Sequence, residues 1–114
     1  MKDRLKSIRY ALDGVVAFFR SEPNAVIHLV ATILVIILSV VLKLHQAEIL
    51  TLVIVTGFVW MAELFNTAIE KIMDFISVEK HPAIKYIKDI AAAGVLVSAL
   101  VALVAGCVIF LPKL

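Results

Sequence analysis

The sequence predicts an all-α membrane protein: an amino-terminal amphipathic helix lying at the interface, followed by three transmembrane helices. Three observations carry this prediction. Hydrophobic residues make up 63% of the 114 positions, and the mean hydropathy is +1.09. A globular domain of this size has too little interior to hide that much apolar surface. Three apolar runs, Ala25 to Leu42, Ile49 to Ala62 and Ile90 to Leu111, are separated by short polar connections. Basic residues gather on one set of ends of these runs, the asymmetry that sets orientation in polytopic proteins.

The elements follow in order, within a single domain over 1–114. Residues 1–20 contain Leu5, Ile8, Leu12, Val15, Val16 and Phe19 at three- and four-residue steps, with Lys2, Arg4, Lys6, Arg9 and Asp13 between them. This segment is too polar to span and fits a helix in the headgroup region, its cations near anionic lipid. The bland alternative is a soluble amphipathic helix docked on protein. "SEPN" at 21–24 interrupts the pattern, with Ser21 a candidate cap and Pro23 tolerated in a first helical turn. The first span covers 24–44 and carries one polar intruder near its start, His28. The uncharged run Ile49 to Ala62 is too short to cross about 30 Å of hydrocarbon alone. Its helix must therefore continue through an acidic stretch, giving a second span with an extension over 47–78. The third span, 84–111, is rich in Ala, Val and Gly, small residues suited to close helix packing.

Lys2, Arg4, Lys6, Arg9 and Arg20 precede the first span, and Lys71, Lys80, Lys85 and Lys88 flank the second connection. Only Lys43 and Lys113 fall on the other side. The expected topology places the amino terminus and the Lys71–Lys88 region in the cytoplasm and the carboxyl terminus outside. No signal peptide is expected, since a long polar segment without a cleavage site precedes the first apolar run. The lone Cys107 excludes an intrachain disulfide and reads as a packing residue. Basic residues are few and are not interleaved with aromatics, so no nucleic-acid partner is expected.

The informative stretch is "WMAELFNTAIEKIMD", Trp60 to Asp74. At helical spacing Glu63, Asn66, Thr67, Glu70 and Asp74 share one stripe roughly 100° wide. Carboxylates at or below a membrane interface are expensive and normally face protein, metal or water. Asp74, Lys71, Glu79 and Lys80 read as a solvated helix end, whereas Glu63 and Glu70, further in, read as functional. His28 and Thr32, one turn apart, fit either a backbone-bonding or a functional role. Glu63 and Glu70 stand about 10 Å apart along the axis, too far to share one metal easily. The spacing suits two tasks: a general base toward a lipid headgroup, and a divalent-ion ligand on a phosphate donor at the aqueous end. Lys85 and Lys88 would neutralise phosphate charge. No P-loop or kinase glycine-rich loop is present.

"AELFNTAIEKIMD", followed by "HPAIKYIKDIAAAGVLV" and preceded by "SEPN…H", resembles the small prokaryotic lipid kinases, the diacylglycerol kinase and undecaprenol kinase family. The resemblance runs nearly the whole chain. Its E-x-x-N-[ST]-A-I-E block together with K-D-x-x-[AS]-A is specific. It implies a multi-pass protein of the bacterial cytoplasmic (inner) membrane, forming a homotrimer with composite active sites on the cytoplasmic side. It implies ATP as phosphoryl donor, Mg²⁺ as cofactor and a membrane lipid alcohol as acceptor. By position Glu63 resembles the catalytic base and Glu22 and Glu70 the metal ligands, with Asn66 in support. Tyr10, Glu22, Glu70, Glu79, Lys80, His81, Lys88 and Asp89 correspond to nucleotide-binding positions, Tyr10 more loosely than the rest. Val16 and Val26 stand where diacylglycerol-specific members commonly have arginines, and "NTAIE" and "HPAIKYIKD" lean toward the undecaprenol kinase branch. The expected acceptor is therefore undecaprenol, with diacylglycerol, giving phosphatidic acid, as the alternative.

The rival class is a non-enzymatic small membrane protein, such as an ion-conducting or accessory subunit with acidic residues along a pore. Pore residues should recur through the bilayer, yet the third apolar run and most of the first two lack charge. Charge gathered toward one interface favours chemistry on a headgroup.

Overall fold

The computed structural model describes residues 2–114. Four helices follow one another: α1 (Lys2–Ser21), α2 (Asn24–Val41), α3 (Gln46–Ile76) and α4 (Pro82–Phe110), closed by a 3₁₀ turn over Leu111–Lys113. α2, α3 and α4 are each long and apolar enough to cross a membrane. At 1.5 Å per residue, α2 is about 27 Å long, close to the thickness of the hydrocarbon, whereas α3 reaches about 46 Å and must project beyond it. This is the extension that the short apolar run Ile49 to Ala62 required.

The helix ends have local causes. α1 carries Asp3 in its first turn and Arg20 in its last, each opposing the dipole charge at its end. Ser21 does not cap α2. It is the last residue of α1, and the residue before α2 is Pro23, with no side-chain cap. Two residues, Glu22 and Pro23, suffice for the corner. The Glu22 amide still bonds back to Phe18 (2.9 Å), and its carbonyl already accepts from Ala25 (3.1 Å). α2 ends in a Schellman turn, Leu44 N–H reaching Ser39 O at 3.2 Å and Lys43 N–H reaching Val40 O at 3.3 Å. That turn needs a left-handed residue, and here Lys43 takes φ 53° where glycine is usual. α3 opens at His45, whose amide donates to Glu48 Oε1 at 3.0 Å. At α4, Pro82 occupies the first turn and His81 Nδ1 accepts from the Ala83 amide at 3.1 Å.

α3 and α4 form the most extensive pairing, and α2 and α1 lean on it more lightly. The antiparallel α3–α4 pair is pinned at both ends. Lys88 Nζ meets Asp74 Oδ1 at 2.6 Å at one end, and Lys113 Nζ meets Glu48 Oε1 at 3.4 Å at the other. Glu48 and Asp74 lie about 39 Å apart along α3, so a bilayer core of about 30 Å fits between the two ion pairs. Four hydroxyls inside the spans are satisfied locally. The hydroxyls of Thr32, Ser39 and Thr51 bond the carbonyl four residues back, and that of Ser98 three back.

The radius of gyration is 17.0 Å, against about 13 Å for a compact domain of this length. The apolar core is small and sits at the α2–α3 turn, where Leu44, Leu52 and Ile109 pack with Val35, Leu42 and Phe110. Most large apolar side chains of the spans face outward, as lipid contact demands. On α1, Leu5, Ile8 and Leu12 are each about 60% exposed and only Phe18 is buried. The apolar face of α1 is therefore not docked on its own chain over most of its length.

Candidate active site

Among the described residues two polar side chains are buried, Glu63 (6% exposed) and Thr67 (8%), and both belong to the acidic stripe of α3. A carboxylate so enclosed requires a partner, and α2 supplies one. His28 Nε2 lies 2.7 Å from Glu63 Oε1. The ring of Trp60, three residues before Glu63, sits beside His28 with centroids 6.1 Å apart. Trp60 Nε1–H donates to Thr32 Oγ1 at 2.9 Å, and the Thr32 hydroxyl donates to the His28 carbonyl at 2.7 Å. Phe18 and Phe19 of α1 close over Trp60 at centroid distances of 6.3 and 5.7 Å. The end of α1, the start of α2 and the middle of α3 thus meet around one buried carboxylate.

One turn along α3, Asn66 Nδ2 reaches Glu70 Oε1 at 3.4 Å, a long bond. Asn66 Oδ1 and Thr67 Oγ1 are buried without a hydrogen-bond partner. Asn66 and Thr67 therefore leave hydrogen-bonding capacity unused in the interior of the stripe. Glu70 and Glu22 are both half-buried. Among the described residues, no group of three or more His, Cys, Asp or Glu side chains is gathered for a metal. Mg²⁺ does not need one. It keeps several waters and commonly takes one or two carboxylates together with substrate phosphate oxygens. Glu22, at the corner between α1 and α2, and Glu70, on α3, are carboxylates of the kind such an ion takes.

The aqueous end of the stripe opens into a cleft of about 590 Å³ between the ends of α3 and α4. Its lining includes Glu79, Lys80, His81, Lys88 and Asp89, five of the positions expected to bind nucleotide. The size suits a small ligand. Local bonds shape its loop, with the Glu79 amide donating to Ser77 Oγ at 3.1 Å and His81 capping α4. Both lysines that would meet phosphate are held by carboxylates, Lys88 by Asp74 and Lys85 by Asp89, each at 2.6 Å. Asp74, expected as a solvated helix end, is 58% exposed at the side chain and also ties α3 to α4. Tyr10, 68% exposed on α1, stands apart from this cleft's lining.

The structure thus brings Glu63, Asn66 and Glu70 onto one stripe and gathers Glu79, Lys80, His81, Lys88 and Asp89 around one cleft at its end. Three side chains in this region have surroundings that the sequence does not assign. His28 fits either a backbone-bonding or a functional role by sequence, and its ring is bound to Glu63. Trp60 belongs to an apolar run, and it joins three helices. Thr67 lies on the stripe without an assigned role, and it is buried. Helical spacing alone identified Thr67; no signal within the sequence pairs His28 with Glu63.

A stripe that runs from a buried carboxylate inside the spans to a lysine-lined cleft at their end defines a membrane-embedded enzyme. A family model described as "Prokaryotic diacylglycerol kinase" matches residues 9–110. The chain belongs to that family, which makes it an ATP-dependent membrane lipid kinase. It is 37% identical over 109 residues to an undecaprenol kinase of Bacillus subtilis, covering 96% of this chain and 89% of that one. It is 34% identical over 111 residues to a diacylglycerol kinase of a Synechocystis species, covering 96% of this chain and 63% of the longer relative. A diacylglycerol kinase of Pseudomonas aeruginosa is 30% identical over 94 residues, 82% of this chain and 76% of that one. Membership of this family sets aside the ion-conducting or accessory subunit.

Proposed function

We propose that the chain transfers the γ-phosphoryl group of ATP to undecaprenol, with Glu63 as general base. The observation that carries the chemistry is the burial of Glu63 at 6% exposure on a stripe that ends in the lysine-lined cleft. The lipid alcohol enters from the bilayer, and Glu63 accepts its hydroxyl proton. The oxygen so freed forms its bond to the γ-phosphorus as the bond to the bridging oxygen of ADP breaks. Lys88 and Lys85 neutralise the phosphates, and Asp89, Glu79, Lys80 and His81 frame the nucleotide. Glu22 and Glu70 would hold Mg²⁺, with Asn66 orienting Glu70. When bound, the ion offsets phosphate charge, the main electrostatic requirement of phosphoryl transfer.

The acceptor is inferred from the likeness to the Bacillus subtilis undecaprenol kinase and from Val16 and Val26 at positions where diacylglycerol-specific members commonly carry arginine. The experiment is a competition. Purified protein in nanodiscs receives Mg-ATP and equimolar undecaprenol and diacylglycerol, and the phosphorylated lipids are separated. Preferential formation of undecaprenyl phosphate is expected. Preferential formation of phosphatidic acid would reverse the choice of lipid while leaving the kinase.

The distribution of lysine and arginine supports a cytoplasmic cleft and amino terminus in a bacterial inner membrane, with the carboxyl terminus outside. The resemblance to the small prokaryotic lipid kinases supports a homotrimer whose subunits complete one another's sites. The Asp74–Lys88 pair yields a further expectation. Asp74 is 58% and Lys88 35% exposed at the side chain, so their pairing contributes at most about 1 kcal/mol. Asp74→Asn frees Lys88 for phosphate and removes a negative charge from the cleft. The KM for Mg-ATP is expected to fall, by up to about fivefold, at unchanged kcat in steady-state assays.

A further inference from the structure

We infer that His28 is a positioning residue for the phosphoryl transfer, fixing the carboxylate of Glu63 so that one oxygen is committed to the imidazole and the other is presented to the lipid hydroxyl. The inference rests on Glu63 acting as base and adds a residue to that reading.

The geometry is specific. A 2.7 Å separation between His28 Nε2 and Glu63 Oε1 is a strong hydrogen bond joining α2 to α3 across 35 residues of sequence. A glutamate side chain has three rotatable bonds, and a base that samples many rotamers meets its substrate rarely. Binding one oxygen to a fixed ring removes most of that freedom.

The ring is itself held. The helix start that carries His28 is clamped through its carbonyl by Thr32, which in turn receives the indole N–H of Trp60. The Trp60 ring lies against the imidazole, and Phe18, 3% exposed, covers the indole from the α1 side. His28 keeps 22% of its side chain exposed and Glu63 8%, so the pair is screened from water without being sealed from a substrate. Thr32 bonds the backbone carbonyl of His28 and Trp60 bonds Thr32, and neither is charged. A packing histidine would not need its ring nitrogen 2.7 Å from the one buried carboxylate of α3.

The test compares His28→Gln, which keeps an N–H donor, with His28→Leu, which removes it at similar volume. Each is made in the full-length protein and also combined with Glu63→Gln. Expected for His28→Leu is a kcat lowered about 10- to 100-fold with the KM for Mg-ATP within twofold of the parent. His28→Gln is expected to recover most of the lost rate. In the Glu63→Gln background, His28→Leu is expected to cause no further loss, because there is no longer a base to position. A His28→Leu protein that turns over at the parental rate would overturn the inference. So would a loss that His28→Gln does not relieve, or one that adds in full to that of Glu63→Gln, since those belong to packing. If His28→Leu does not fold, the glutamine variant and its double mutant decide alone, an additive loss counting against the inference. Should Glu63→Gln itself remain active, the base assignment fails first, and the two failures are distinguishable.

Discussion

Glu63→Gln is expected to lower kcat for lipid phosphorylation about 10²- to 10⁴-fold, the usual contribution of a positioned general base. The amide is nearly isosteric with the carboxyl, so it keeps the fold and can still bond the His28 ring; what it loses is the capacity to accept the hydroxyl proton. Binding of Mg-ATP is expected to stay within about twofold of the parent, because the cleft residues Lys88 and Asp89 lie on another helix, beyond Asp74 at the end of the stripe. Steady-state kinetics at saturating lipid, with nucleotide titration on the same preparation, check both halves. Near-parental turnover would remove Glu63 from the chemistry.

Glu70→Ala is expected to give the complementary pattern. Removing one of two protein carboxylates from a divalent-ion site weakens the ion, and with it the nucleotide, about 10- to 100-fold. The variant's affinity for ATP is expected to become nearly independent of Mg²⁺ in calorimetric titrations. The fold is expected to tolerate it, because the one bond Glu70 makes within the chain is the 3.4 Å contact with Asn66. Mg²⁺-dependent ATP binding equal to that of the parent would take Glu70 out of the metal site. The contrast between the two variants, Mg-ATP binding kept for Glu63→Gln and weakened for Glu70→Ala, is what the seven-residue spacing on α3 implies.

Much of the fold was legible in the sequence because hydropathy and helical period report directly on spans. α3 had to outrun its apolar run Ile49 to Ala62, and it does, to Ile76. The stripe of Glu63, Asn66, Thr67 and Glu70 was legible for the same reason, since one helix fixes its own faces. What joins different helices was not. The register of α2 on α3 decides that His28 meets Glu63 and that Thr32 meets Trp60, and no periodicity carries that register. Asp74 shows the same limit. Its exposure suggested solvent, but its partner Lys88 comes from α4, across the turn. Local chemistry misled once: Ser21 has the residue type of a cap, but the corner closes through the backbone of Glu22 instead. Lys43 ran against the usual signal for a helix end, holding a left-handed turn where no glycine is present.

The electrostatics of the site have a simple order. The unpaired cost of a buried charge is met at the deep end by a neutralising or hydrogen-bonding ring and at the shallow end by lysines and water. On the proposed function, Lys80, Lys85 and Lys88 of the cleft would meet the nucleotide phosphates and Glu63, further in, the alcohol proton.

The central claim is that the chain joins the γ-phosphoryl group of ATP to a lipid alcohol. The most direct measurement follows the fate of that group. Purified protein in nanodiscs is given [γ-³²P]ATP, Mg²⁺ and undecaprenol or diacylglycerol, and the label is separated into lipid-extractable and aqueous fractions. Label is expected in the phosphorylated lipid, in one-to-one ratio with ADP formed, and at an initial rate about 10²- to 10⁴-fold lower with Glu63→Gln. Label released only as inorganic phosphate, or none transferred to either alcohol, would contradict the account.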